Sequence, residues 1–399
     1  MAEKLALFGG KRVRKDFLPY GRQWIDEEDI KSVIDVLKDD FITQGPRIRE
    51  FEKLIANYCN VKFAVAFSSG TAALHGASYC SDITQGDEAI TTPITFAADA
   101  NCVLFGGGKV DFADIKKDTY NIDPNKIKKK INSKTKVIIT VDLTGQPCDI
   151  DEINEIAEEE NLIVIEDACH ALGAEYKNKK VGGLTDLSVL SFHPVKHITT
   201  GEGGMVLTND ENMYDKLISF RTHGITKNPN KMIRSEGEWY YEMQNLGYNY
   251  RITDFQCALG ISQFKKLDKF IIRRREIANI YNKAFRDLKE IVTPYQKHDV
   301  KSAFHLYIIQ LNLEKFKVGR KEIFEALRAE NIGVHVHYIP VHLHPYYQNN
   351  FGYKKGDFPI AEGFYERALT LPLFPKMSDK DVEDVINTVI KVINYFRKT

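Results

Sequence analysis

The sequence predicts an α/β fold on a mostly parallel sheet, and three features carry that prediction. Strand-like and helix-like patterns alternate from residue 63 to residue 207, the order that lays helices over a parallel sheet. The run N-L-I-V-I at 161–165 is unbroken and apolar, as expected of a strand buried on both faces. The 399 residues suffice for one large unit and a second, smaller one, with ample core.

Element by element, amphipathic helices are expected first at 27–37 and 47–58, from apolar residues at helical spacing. Strand-like 63–67 leads into helix-like 71–79, and 89–92 leads into 96–104, with 110–112 closing that unit. A strand at 137–141 precedes a helix near 152–159 and then the strand at 162–165. Segments 187–192 and 205–207 complete the series. From 253 to about 288 the pattern is one long helical stretch. We read it as the connector between a large domain, 1–260, and a small α+β domain, 261–399. In the small domain, 304–311 and 333–338 read as strands, and 320–329 and 379–397 as helices.

Lys+Arg and Asp+Glu each number 55, so no net charge favours nucleic acid or an anionic membrane. The basic runs 126–130 and 273–275 lie in helix-like stretches with apolar neighbours and read as solvated faces. No apolar segment approaches the roughly 20 residues that span a bilayer, and the N-terminus has no signal-peptide h-region. The six cysteines (59, 80, 102, 148, 169, 257) are scattered without a C-x-x-C pair. They read as reduced core residues, so a cytoplasmic location is expected.

The chemistry starts with Lys196, inside S-F-H-P-V-K-H-I-T-T-G-E-G-G at 191–204. A lysine at a strand end, beside small polar residues, is placed to act as a nucleophilic amine. Such amines form Schiff bases with carbonyl cofactors, above all pyridoxal phosphate (PLP). Asp167 follows the buried run 161–165, at the carboxyl end of a strand, where open α/β sheets bind ligands. A carboxylate there can pair with the pyridinium nitrogen of PLP and keep the ring protonated. Each residue alone has a plain alternative, a solvated lysine or an aspartate capping the next helix. Together they favour the cofactor.

S-S-G-T at 68–71 lies between a strand and a helix. Backbone N–H groups there, with the Thr71 hydroxyl, make a phosphate cradle, although such residues also cap helices generally. Phe96 follows a strand and can stack on an aromatic ring or belong to the core. Ser191 is a second phosphate-ligand candidate or a strand hydroxyl bonded to backbone. His335, His337, His342 and His344 alternate as metal ligands would. No nearby carboxylate or cysteine completes a set, and Pro340 and Pro345 break the segment. We therefore expect no metal, and read these histidines as cleft-lining or structural. Glu202 receives no role.

With these residues in view, the chain resembles the fold-type I PLP enzymes, and among them the DegT/StrS-type nucleotide-sugar aminotransferases. The likeness rests on S-S-G-T-A-A-L-H (68–75), T-P-I-T-F (92–96), E-D-A-C-H-A-L-G (166–173), S-F-H-P-V-K (191–196), T-G-E-G-G (200–204) and L-G-Y-N-Y-R-I-T-D (246–254). It implies a mostly parallel seven-stranded sheet in the large domain. It implies Lys196 as the Schiff-base lysine, Asp167 as the pyridinium partner, Phe96 as the stacking ring, and Gly70, Thr71 and Ser191 as phosphate ligands. Asn249 would reach the phosphate held by a partner subunit, which implies a homodimer with shared sites. His170 stands where many relatives carry Gln, beside the phenolic oxygen of the cofactor. The implied reaction moves an amino group from L-glutamate to the C4 ketone of a UDP-linked 4-keto-6-deoxy-N-acetylhexosamine. Another nucleotide-linked keto sugar, or a catalytically silent PLP-binding protein, are the alternatives. A branch of the family with histidine in place of the lysine performs dehydration, and Lys196 argues against that chemistry.

Overall fold

The computed structural model describes residues 3–398. Seven strands form the large sheet: β1 (Phe63–Phe67), β2 (Glu88–Thr91), β3 (Lys109–Phe112), β4 (Thr135–Val141), β5 (Ile163–Asp167), β6 (Leu187–Ser191) and β7 (Gly204–Thr208). Their order across the sheet is β1-β7-β6-β5-β4-β2-β3. Only β7 runs against its neighbours, β6 and β1; the remaining pairings are parallel. The buried run seen in the sequence is thus the central strand.

Side chains alternate across a strand, so a sheet covered on both faces needs apolar residues at every position. β4 shows this directly. Val137 and Ile139 pack in the cluster holding Ala73 and Ala77, while Ile138 packs with Ile153 and Ile156. The first four helices are α1 (Glu27–Leu37), α2 (Pro46–Cys59), α3 (Gly70–Cys80) and α4 (Ala98–Phe105), and the last two carry residues of the cleft described below. Asp26 and Asp29 close a capping box at the start of α1, and Pro46 opens α2, where its missing N–H costs nothing. Among the described residues, no helix is long and apolar enough to cross a membrane.

Three expectations need correction; the first is the basic run 273–275, which is not wholly a solvated face, since Arg274 is buried. The single helix expected from residue 253 is two, Asp254–Phe264 and Leu267–Phe285. The ladder tightens between them, Lys266 N donating to Gln263 O at 2.9 Å, while the Lys266 ammonium is held by Asp26 and Asp29 at the head of α1. Segment 333–338 is not a strand. It meets its neighbour at one residue pair, His335 opposite Thr370, and soon reaches Pro340, which has no N–H to continue a ladder. The second sheet consists instead of Ile291–Val292, Tyr307–Leu311 and Ala368–Leu371, all antiparallel.

Tyr281, Tyr307, Leu369 and Val389 anchor the core of the C-terminal unit, and Leu5 and Leu18 join them. The start of the chain therefore packs on its last third. Arg274, 1 % exposed, ties this unit together. Its Nη1 donates to the carbonyls of Phe304 (3.3 Å), His305 (3.1 Å) and Leu373 (3.1 Å). Burial pushes its pKa down to about 9, so it still carries its charge at neutrality. Arg274→Ala would leave three buried acceptors unpaired, and we expect a loss of about 3 kcal/mol or more, read as a lower urea midpoint.

Candidate active site

β5 ends at Asp167, and its carboxyl end opens on a cleft of about 660 Å³. Lys196, Asp167, Gly70, Thr71, Phe96, His170 and Ser191 all line it. Asn249 does not: it is exposed, in a bridge opposite Thr222.

The cradle at 68–71 exists because α3 begins there. Ser69 caps the helix by accepting from Ala72 N at 3.1 Å. The N–H groups of Gly70 and Thr71 precede the intrahelical ladder and, with the helix dipole, favour an anion. β7 presses against this turn, and only glycine permits it. A Cβ on Gly204 would fall 2.4 Å from the Ser69 carbonyl oxygen and 2.8 Å from Gly70 Cα. On the other side, a Cβ on Gly70 would lie 3.1 Å from Ser191 Cβ.

Lys196 is half-buried. Burial lowers its pKa, opposed by the nearby Cys169, Asp167 and Asp99, so a neutral amine is more accessible than on a surface lysine. Asp167 is buried and its Oδ1 accepts Cys169 N at 2.9 Å. Phe96, by contrast, leaves 63 % of its surface open in the cleft wall. A nucleophilic amine, a buried carboxylate, an open aromatic face and an anion cradle thus share one cavity. That donor set fits PLP, whose aldehyde, ring nitrogen, ring face and phosphate ask for those groups.

A chain of histidine rings runs from the cleft wall inward. The rings of His170 and His305 are 4.3 Å apart, and those of His305 and His197 are 5.5 Å apart. His170 Nε2 is 3.2 Å from the Tyr338 hydroxyl. Burial holds His75, His170, His197, His305, His337 and His342 below the usual imidazole range, at about 4 for His75 and about 3 for His337. The unfolded chain then binds protons that the fold refuses, so this stability is full above about pH 6.5 and is lost as pH falls toward the folded values. Asp99, Asp142 and Glu166, raised chiefly by burial, act the other way. The histidines outnumber them, and we expect the thermal midpoint to drop between about pH 6.5 and pH 4.5.

The profile of the DegT/DnrJ/EryC1/StrS aminotransferase family matches residues 23–390. The chain belongs to this family. A UDP-4-amino-4,6-dideoxy-N-acetyl-beta-L-altrosamine transaminase of Campylobacter jejuni is 41 % identical over 384 residues, 96 % of this chain and 99 % of the relative. Among solved structures, Helicobacter pylori PseC, an aminotransferase involved in the biosynthesis of pseudoaminic acid, superposes with a TM-score of 0.88 at 35 % identity. It covers 96 % of this chain and 100 % of its own. The PLP form of a putative sugar aminotransferase of Streptococcus pneumoniae gives 0.88 at 30 % identity, covering 95 % and 99 %.

The DegT-family chain is therefore a PLP-dependent sugar aminotransferase with the type I transferase fold. Within this DegT-family site, the sequence motifs did not announce Asp99, His305 or Glu202 as cleft residues, yet all three line it. Asp99 lies three residues past the T-P-I-T-F motif, and His305 arrives from the C-terminal unit without a local signal; Tyr338, beside His337, also lines the cleft. Of the histidine group, His335 and His337 line the cleft, and His337 Nδ1 bonds Thr370 Oγ1 at 2.8 Å. His342 instead pairs with Glu362 at 3.0 Å, a carboxylate twenty residues on in the chain.

Proposed function

We propose that this enzyme moves an amino group from L-glutamate to the C4 ketone of a UDP-linked 4-keto-6-deoxy-N-acetylhexosamine. What carries the reading is the joint presence of Lys196, Asp167 and the 68–71 cradle in one cleft, with a relative named as a UDP-amino-sugar transaminase. PLP supplies an aldehyde that captures the amine and a ring that accepts electrons. Gly70, Thr71 and Ser191 would hold its phosphate, and Phe96 would cover one face of its ring. His170, whose burial disfavours the charged imidazolium, would offer a ring nitrogen at the phenolic oxygen. Asp167 would hold the proton on the ring nitrogen. With PLP bound, the Lys196 amine would take the proton from the α-carbon of the donor and, once protonated, give it up again, first base and then acid. The same residue would serve in both halves of the transfer.

Asn249, exposed away from its own cleft, is proposed to complete the phosphate site of a second copy, in a homodimer. The domain boundary is placed near 260/261. A cytoplasmic location accords with six unpaired, buried cysteines. The test is the visible spectrum of the purified protein before and after L-glutamate, followed by addition of the UDP-linked keto sugar and mass analysis of the product. Conversion of the cofactor to its amine form and a new amino sugar are expected. A protein that stays colourless in PLP, or whose spectrum ignores both substrates, would overturn the reading.

A further inference from the structure

α4 brings a second carboxyl into the cleft that none of the roles above uses. Asp99, in the first turn of α4, is 0 % exposed and lines the same cavity as Asp167 and Lys196. Its Oδ2 accepts the Thr95 hydroxyl, its buried Oδ1 meets no donor, and the buried Asp167 carboxyl is its neighbour in the cavity wall. Two neighbouring carboxylates in a dry site do not readily both ionise; one of them keeps a proton. The surroundings say which. Asp167 accepts the Cys169 backbone N–H and interacts with the Lys196 amine. Asp99 has the neutral Thr95 hydroxyl, while the Cys102 thiol donates to the Asp99 backbone carbonyl and not to its carboxyl.

We propose that Asp99 is a positioning residue: it stays a neutral carboxylic acid and donates a hydrogen bond to the Asp167 carboxylate, orienting it toward the cofactor ring and dispersing its charge. This rests on the reading of Asp167 as the ring-nitrogen partner. Burial and the charge of Asp167 push the Asp99 pKa well above the usual carboxyl range, in line with the geometry.

The first measurement is an infrared difference spectrum of the PLP-free protein at neutral pH, wild type against Asp99→Asn. The carbonyl stretch of a neutral carboxyl group should be present in the wild type and absent from the variant. A difference confined to carboxylate bands would overturn the proposal. In the holoenzyme, Asp99→Ala should weaken PLP binding about tenfold, the worth of one hydrogen bond to a charged group. It should also raise the midpoint of the pH-dependent change in the cofactor's visible absorption, because the charge on Asp167 is no longer dispersed. Asp99→Asn, which keeps an N–H donor without charge, should restore both. A midpoint that falls in both variants would mean a lost negative charge and would overturn the proposal. If Asp167→Asn leaves PLP affinity and spectrum as they were, the reading of Asp167 fails, and the infrared band still reports on Asp99 separately.

Discussion

Lys196→Ala should lower turnover more than about 10³-fold, the upper range for removing a positioned general acid–base group, with the covalent hold on the cofactor lost as well. The variant should still bind PLP through the 68–71 cradle and the Phe96 face, but non-covalently. Borohydride treatment followed by intact mass should then show a cofactor adduct on the wild type and none on the variant. The size of the effect follows from the setting. Burial lowers the pKa of this amine, with the Asp167 carboxylate opposing the drop, so it gives up its proton more readily than a surface lysine would. A variant that turns over at the wild-type rate would remove Lys196 from the chemistry.

Asp167→Asn should rank second, with kcat reduced about 10²–10³-fold, the scale of deleting one preorganised electrostatic contact at a reacting centre. Asparagine keeps the shape and an oxygen to accept from Cys169 N, so the fold and the end of β5 should survive. The expected signature is therefore a kcat loss with the cofactor still covalently attached, which separates it from the lysine variant. Equal kcat in Asp167→Asn and wild type would argue that the ring nitrogen needs no anionic partner here.

Residues with strong local patterns were legible in advance. The central strand stands out because burial on both faces forces an unbroken apolar run, and Asp167 is found simply by asking where that run stops. Lys196 and Gly70 are marked by small residues that let backbone segments approach closely, as at Gly204 against Ser69. What escaped has a common cause in tertiary contact. The break at Lys265–Lys266 contains neither proline nor glycine, and accompanies a lysine drawn to Asp26 and Asp29, over two hundred positions earlier. Segment 333–338 has β-like alternation, yet it finds a partner only at Thr370. Tyr338 and His305 meet His170 only after the C-terminal unit closes over the sheet. No periodicity in the sequence encodes such a meeting.

The six cysteines have a practical consequence. All are unpaired and buried, and burial pushes their thiols up, to about 12 at Cys59 and Cys80 and well above the usual range at Cys102, Cys148 and Cys169. Thiolate is the reactive form, so a maleimide dye should pass over the native chain. A single cysteine introduced at Lys321, whose side chain is 81 % exposed, would then take up one fluorophore in the wild-type background, with no prior removal of native thiols. The surroundings of the C-terminal unit become open to fluorescence measurement in the otherwise unaltered enzyme.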